Sequence, residues 1–284
     1  MPRHTPSRLR RVLKFAVVPV VMLLASGCTG EAAKWERGGW PDPVTKQGKQ
    51  VLGLWQGGLI ACIVVGGLVI GMILVSAIWF RKRSDDQLPR QVRYNLPIEV
   101  LYTFIPIIIV SILFYFTAIG EDREDKITKG PALNVQVVGF QWSWQFNYLQ
   151  DQLSITGRPG DPPQLVLPVG ENIHFYEVSA DVIHSFWVVP FLFKRDVIPG
   201  RINQFEVTIT KAGTFQGRCA EYCGAEHDRM TFTVKALPRA QYDQWLASAQ
   251  QAAQAGTNPE YTVYSGPTSG TASDQPGSTL GSNA

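Results

Sequence analysis

Thirty consecutive residues, 51–80, carry no charge, and a chain holding such a run has few ways to fold. As an α-helix the run spans about 45 Å against a hydrocarbon core of roughly 30 Å, enough to cross a membrane with tilt. Arg81, Lys82 and Arg83 follow at once, and Arg90 and Arg93 complete a short loop, 81–97, whose basic excess marks it as cytoplasmic. A second apolar run, 98–119, returns the chain, and Glu121, Asp122, Glu124 and Asp125 open the far side. The 45% hydrophobic content against 17% charged is concentrated before Gly120, so the remainder must face water. Net charge is +3, and the basic clusters flank the apolar runs, which argues for a membrane and against nucleic acid.

Residues 1–27 have the layout of an export signal. Arg3, Arg8, Arg10, Arg11 and Lys14 precede the apolar stretch 15–25, and Ser26 and Gly27 precede Cys28. That ending resembles a bacterial lipoprotein box, in which Cys28 is lipidated and becomes the mature N-terminus; an uncleaved anchor is the alternative. With either start, the passes that follow place everything after Gly120 on the extracytoplasmic side of the cell membrane. Residues 28–50, with Gly38, Gly39, Pro41 and Pro43, read as an irregular exported linker. Cys62 lies inside the first apolar run and reads as a small hydrophobe.

Residues 120–250 read as one extracytoplasmic domain. Short β-type segments at 133–138, 164–167, 172–178, 183–189, 204–209, 214–218 and 230–235 are rich in Val, Ile, Phe and Thr and broken by Gly and Pro. About seven such strands predict an all-β sandwich or barrel. Pro238 opens a short helix to residue 250. Residues 251–284 are dominated by Gly, Ser, Thr, Pro and Gln, a composition expected of a disordered tail.

Chemistry is concentrated in one stretch, 219–230, and in His184 upstream. Cys219, Cys223, His227 and Met230 put two thiols, an imidazole and a thioether on one short loop, a soft donor mixture that suits copper. Two copper ions bridged by Cys219 and Cys223 would spread one electron over both metals and both sulfurs, so that geometry changes little on electron transfer. His184 and His227 would each supply an imidazole, Met230 a weak thioether, and Glu221 a backbone carbonyl. Three other fates compete: a Cys219–Cys223 disulfide, common for exported thiols, a zinc ion on the two cysteines and two histidines, and a single blue copper. The disulfide has no use for the histidines, zinc none for Met230, and the blue site only one thiol.

With the surrounding segments added, the chain resembles subunit II of the haem-copper cytochrome c oxidases. The resemblance covers about 50–245. It rests on the loop's Cys-x-Glu-x-Cys-x-x-x-His-x-x-Met pattern, on Asp181-Val182-Ile183-His184-Ser185-Phe186, and on Lys194-Arg195-Asp196-Val197-Ile198-Pro199-Gly200-Arg201. It implies two transmembrane helices followed by a cupredoxin-like Greek-key β-sandwich with a dinuclear copper (CuA) centre. It also implies that electrons arrive from a c-type cytochrome and leave to haem in oxidase subunit I, where oxygen is reduced to water and protons are moved.

Individual residues gain implied roles from the same resemblance. Glu221 would bind, besides copper, a magnesium ion at the boundary with subunit I. Trp142, in Gln141-Trp142-Ser143-Trp144, would receive electrons from the donor, although Ser143 stands where the family often has another aromatic. Asp181 and Asp196 fall at positions implied in donor docking. Glu99, in Asn95-Leu96-Pro97-Ile98-Glu99 and seven residues before Pro106, would stand at the mouth of a proton pathway. Partners implied are subunit I, other oxidase subunits and the cytochrome, which is a separate chain because no Cys-x-x-Cys-His haem attachment occurs here. Two rival readings are a quinol-oxidising relative, which lacks the copper ligands, and a membrane-tethered copper carrier, which needs neither paired helices nor Trp142.

Overall fold

The computed structural model describes residues 37–81, 84 and 91–266. The expected signal and Cys28 lie outside the described residues. The chain divides into a unit up to Asp42 and a second from Pro43 onward. In the first, Arg37 Nε donates to the Trp40 carbonyl at 3.0 Å. Everything that follows belongs to the second.

Two helices come first, α1 (Lys46–Trp79) and α2 (Leu96–Glu124), both long and apolar enough to cross a membrane. Their apolar side chains are exposed on all sides, as expected of surfaces meant for lipid or other helices. Cys62 is a free thiol among them. Both helices outrun their apolar cores. The chain enters α1 five residues before the uncharged run because Thr45 caps it, its Oγ1 accepting from Gly48 N at 2.8 Å. That first turn is fastened to the β-domain: Thr208 N donates to Gln47 Oε1 at 3.0 Å, Val44 N to Pro190 O at 3.0 Å and Thr210 N to Val44 O at 2.7 Å. Residues 46–50, read as linker, are therefore helix. α2 starts on the cap Asn95, with Pro97 in its first turn, and runs past residue 119 to Glu124.

The β-domain is a sandwich of eleven strands. One sheet has the order β11-β3-β2-β1-β5-β8 and the other β4-β10-β9-β6-β7. The strands are β1 (Leu133–Phe140), β2 (Ser143–Tyr148), β3 (Leu153–Thr156), β4 (Gln164–Pro168), β5 (Asn172–Ser179), β6 (His184–Val188), β7 (Phe193–Val197), β8 (Asn203–Thr208), β9 (Gly213–Cys219), β10 (Thr231–Leu237) and β11 (Tyr261–Val263). Most neighbours are antiparallel, but β1 runs parallel to β5 and β4 to β10, the crossovers that tie a Greek-key-like sandwich. The cupredoxin-like sandwich on two membrane helices is borne out.

Alternation builds the core. Along β2 the aromatics Trp144, Phe146 and Tyr148 point inward with no exposed surface, meeting Phe186 and Phe232 from the other sheet. Phe186 and Phe232 stack at 4.7 Å between ring centres. Gly217 permits that stack, since a Cβ there would stand 2.2 Å from the Phe232 ring. Gly217→Ala is expected to lower stability by about 1–3 kcal/mol through overpacking, read by denaturant unfolding of the detergent-solubilised chain.

The disordered-tail expectation needs correction over residues 251–263, while residues 267–284 lie outside the described residues. Helix α3 (Arg239–Ala255) runs beyond residue 250 and ends at Gly256, whose φ of 63° supplies the left-handed cap. Ala249 is buried, and Gln250 Nε2 donates to Asp151 O at 2.8 Å. The chain then adds β11 to the β3 edge, where Thr156 N donates to Glu260 O at 2.9 Å and Tyr261 packs on the core. Pairing with an existing edge supplies what the polar composition of this segment lacks.

Candidate metal centre

β9 and β10 are antiparallel neighbours, and the stretch between them, 220–230, forms a loop pinched at its neck by Cys219 N donating to Met230 O at 2.9 Å. A single 3₁₀ turn, His227–Arg229, folds the imidazole and thioether back toward the cysteines. β6 lies beside β9 and brings His184 to the same end, with no exposed surface.

The donors converge on two sulfurs. Cys219 Sγ and Cys223 Sγ stand 3.8 Å apart, nearly twice the about 2.05 Å of a disulfide, and both are free thiols. Around Cys219 lie His184 Nδ1 at 3.9 Å and the Glu221 carbonyl at 3.2 Å. Around Cys223 lie His227 Nδ1 at 3.5 Å and Met230 Sδ at 3.7 Å. The donor atoms of His184, Cys219 and Cys223 lie within 4.8 Å of one another. Both cysteines and Met230 are buried.

Electrostatics fit a cation between the sulfurs. Burial pushes the Cys219 thiol up, but His184, then the backbone at Glu221 and Ser185, outweigh it and bring the thiol to about 6. Burial, reinforced by the negative charge of Cys219, pushes Cys223 up to about 12. Two thiolates this close repel, so without metal one stays protonated; bound cations remove that conflict. The donor set is soft and divides into two halves about the sulfur pair. That division suits two copper ions sharing both sulfurs better than one tetrahedral zinc.

Asp181 is tied to this site in a way the sequence reading missed. Its carboxylate accepts from Gln141 N at 2.6 Å and Val182 N at 2.6 Å and meets His184 Nε2 at 2.8 Å. Burial raises this carboxyl, but those hydrogen bonds outweigh it and hold it below the usual range; burial lowers His184, and Cys219 with Asp181 outweigh that and raise it. With Nε2 held by the carboxylate, Nδ1 is presented to the metal. Asp181→Asn keeps one oxygen where two are in use, so metal affinity is expected to fall about 10–100-fold, read by chelator competition.

The aromatic stretch also meets the loop. Trp142 Nε1 and Gln141 Nε2 both donate to the Cys223 carbonyl, at 3.2 and 2.8 Å. Gly224, with φ of 125°, allows the approach, since a Cβ there would stand 3.0 Å from Trp142 Nε1. Beneath, buried Trp144 donates to Met230 O at 3.4 Å and sets its ring edge-on to His184. Nothing in the sequence tied Trp144 to Met230.

Other expected site residues lie apart or outward. The Glu221 and Tyr222 side chains are exposed at the loop tip. Asp196 lies on β7 opposite Ser185 and is half-buried. Glu99 stands in the first turn of α2, where Asn95 N donates to its Oε1 at 2.9 Å. The 29 residues of α2 separate it from the β-domain by roughly 40 Å.

Fold and site together define a membrane-anchored β-sandwich metalloprotein of soft-donor type. The family model for "Cytochrome C oxidase subunit II, periplasmic domain" matches residues 161–237. Probable cytochrome c oxidase subunit 2 of Streptomyces coelicolor is 42% identical over 289 residues, covering 88% of this chain and 90% of that protein. Cytochrome c oxidase subunit 2 of Mycobacterium tuberculosis is 33% identical over 315 residues, 90% of this chain and 85% of that one. Among solved structures, the periplasmic domain of subunit II of cytochrome oxidase from Bradyrhizobium japonicum is 27% identical, covering 44% of this chain and 98% of its own, with a TM-score of 0.41. The chain belongs to the cytochrome c oxidase subunit II family. It is a membrane-anchored subunit of a cytochrome c oxidase.

Proposed function

We propose that this chain holds a dinuclear CuA centre on the extracytoplasmic side of the cell membrane, takes electrons from a c-type cytochrome and hands them to haem in oxidase subunit I. The observation that carries the reading is the two-sided donor set around sulfurs 3.8 Å apart. A copper pair bound there would supply a one-electron carrier. Cys219, Cys223, His184, His227, Met230 and the Glu221 carbonyl would hold it. Asp181 orients His184.

Trp142 receives the electron, and its hydrogen bond to the Cys223 carbonyl gives a short covalent and hydrogen-bonded route to the sulfur. Asp181 and Asp196 add negative charge for a basic donor. The exposed carboxylate of Glu221 would help hold a magnesium ion at the boundary with subunit I. Glu99 marks the cytoplasmic mouth of a proton pathway that subunit I continues, its carboxylate held at the start of α2 by Asn95. Oxygen reduction and the coupled proton movement take place in that partner.

Paramagnetic resonance of the full chain loaded with copper in detergent tests the reading. One unpaired electron shared over two copper nuclei is expected. An isolated-copper signal, or zinc uptake with no copper, would overturn it.

A further inference from the structure

Glu177 is a carboxyl group in the hydrophobic core. It sits on β5 between Val137 of β1 and Asn203 of β8, on the inward register it shares with Ile173 and Phe175, and has no exposed surface. Neither of its oxygens has a hydrogen-bond partner. Burying such a group without a partner is costly, and a protein retaining one in a core of Val and Phe needs a reason.

Its surroundings supply one. Arg195, on the inward side of edge strand β7, pairs through one terminal nitrogen with Asp125 just beyond α2, and its Nε is buried and unpartnered. Arg195 and Asp196 are the charges that act on Glu177; Glu124 and Asp125 stand behind Arg195 at the end of α2, and β1 and β8 offer the non-titrating Val137 and Asn203. From β6 comes His184. Two residues along from Val137, Gly139 lies under that imidazole, a Cβ there standing 3.0 Å from His184 Cδ2. Strand spacing therefore puts the carboxyl on the order of 10 Å from the metal site. Burial raises the acid well above its usual range, and Arg195 opposes it.

We propose that Glu177 is a redox-linked proton site of the copper centre. When the centre takes one electron from a reduced haem protein, the Glu177 carboxylate takes one proton from outside water, forming its O–H bond. On oxidation that bond breaks and the proton returns by the same way. Arg195, with 27% of its side chain exposed, stands at the sandwich edge through which the proton passes. Over about 10 Å of protein one added charge changes proton binding roughly tenfold.

The inference rests on the copper reading, so the resonance signal is recorded first; a chain without a shared-electron signal fails that reading. For a chain with it, the midpoint potential is followed against pH in wild type and in Glu177→Gln. The expected wild-type curve falls with rising pH by about 59 mV across the titration, a tenfold change for one electron, and flattens in the variant. Infrared difference spectra of reduced minus oxidised wild type are expected to gain a protonated-carboxyl band, so a variant that fails to fold does not block the test. A variant keeping the wild-type slope, or spectra with no carboxyl change, would overturn the proposal.

Discussion

Replacing Cys219 with serine is expected to remove the shared-electron copper signal altogether. The Cys219 sulfur lies 3.8 Å from Cys223 Sγ, 3.2 Å from the Glu221 carbonyl and 3.9 Å from His184 Nδ1, so one atom joins both halves of the site. Serine keeps the shape and a hydrogen-bond donor, but a hydroxyl is hard and stays protonated where this thiol is brought to about 6. What remains is Cys223 with His184, His227 and Met230, a one-thiolate set able to hold at most a single copper. Metal analysis should fall from two coppers per chain to one or none, and any remaining resonance should report one nucleus. Met230→Leu is the contrasting case. It conserves volume at a buried position, costs less than about 1.5 kcal/mol and keeps both coppers, shifting their potential. If Cys219→Ser kept the wild-type spectrum, the bridging assignment would be lost.

Trp142→Phe is expected to leave that spectrum nearly unchanged while slowing reduction by a reduced c-type cytochrome at least about tenfold, a barrier change near 1.4 kcal/mol. The separation follows from the Cys223 carbonyl, which accepts from both Trp142 Nε1 and Gln141 Nε2. Phenylalanine removes the first donor and the indole, and Gln141 still holds the loop at 2.8 Å. Stopped-flow reduction and resonance on the same sample separate the effects. Unchanged kinetics would remove Trp142 from the electron route, and a changed copper spectrum would make its role structural.

The copper loop was legible because its donors sit within twelve residues, a spacing that survives folding. The long apolar runs and seven of the strands were legible by the same local logic, but β2 and β3 were not among them. β7 was missed because Lys194, Arg195 and Asp196 interrupt it, as an edge strand tolerates. β11 was missed because its three residues, in a tail of Gly, Ser and Thr, form a strand only by pairing with β3. The tie between Asp181 and Gln141 spans forty residues and cannot be read from local spacing, although the histidine that Asp181 orients is only three residues away. Glu177 looked like one polar residue in a β segment, and only the register showed it facing inward.

The first turn of α1, bound through Gln47, Val44 and Thr45 to the β-domain that comes after it in the chain, bears on how such a subunit works. A carrier on a slack tether would spend much of its time out of reach, its effective concentration set by linker length. Here the copper domain and its membrane helix start as one piece. On the proposed function, the gap to the acceptor would then be set by assembly of the complex, and each transfer would occur over a constant distance without a search.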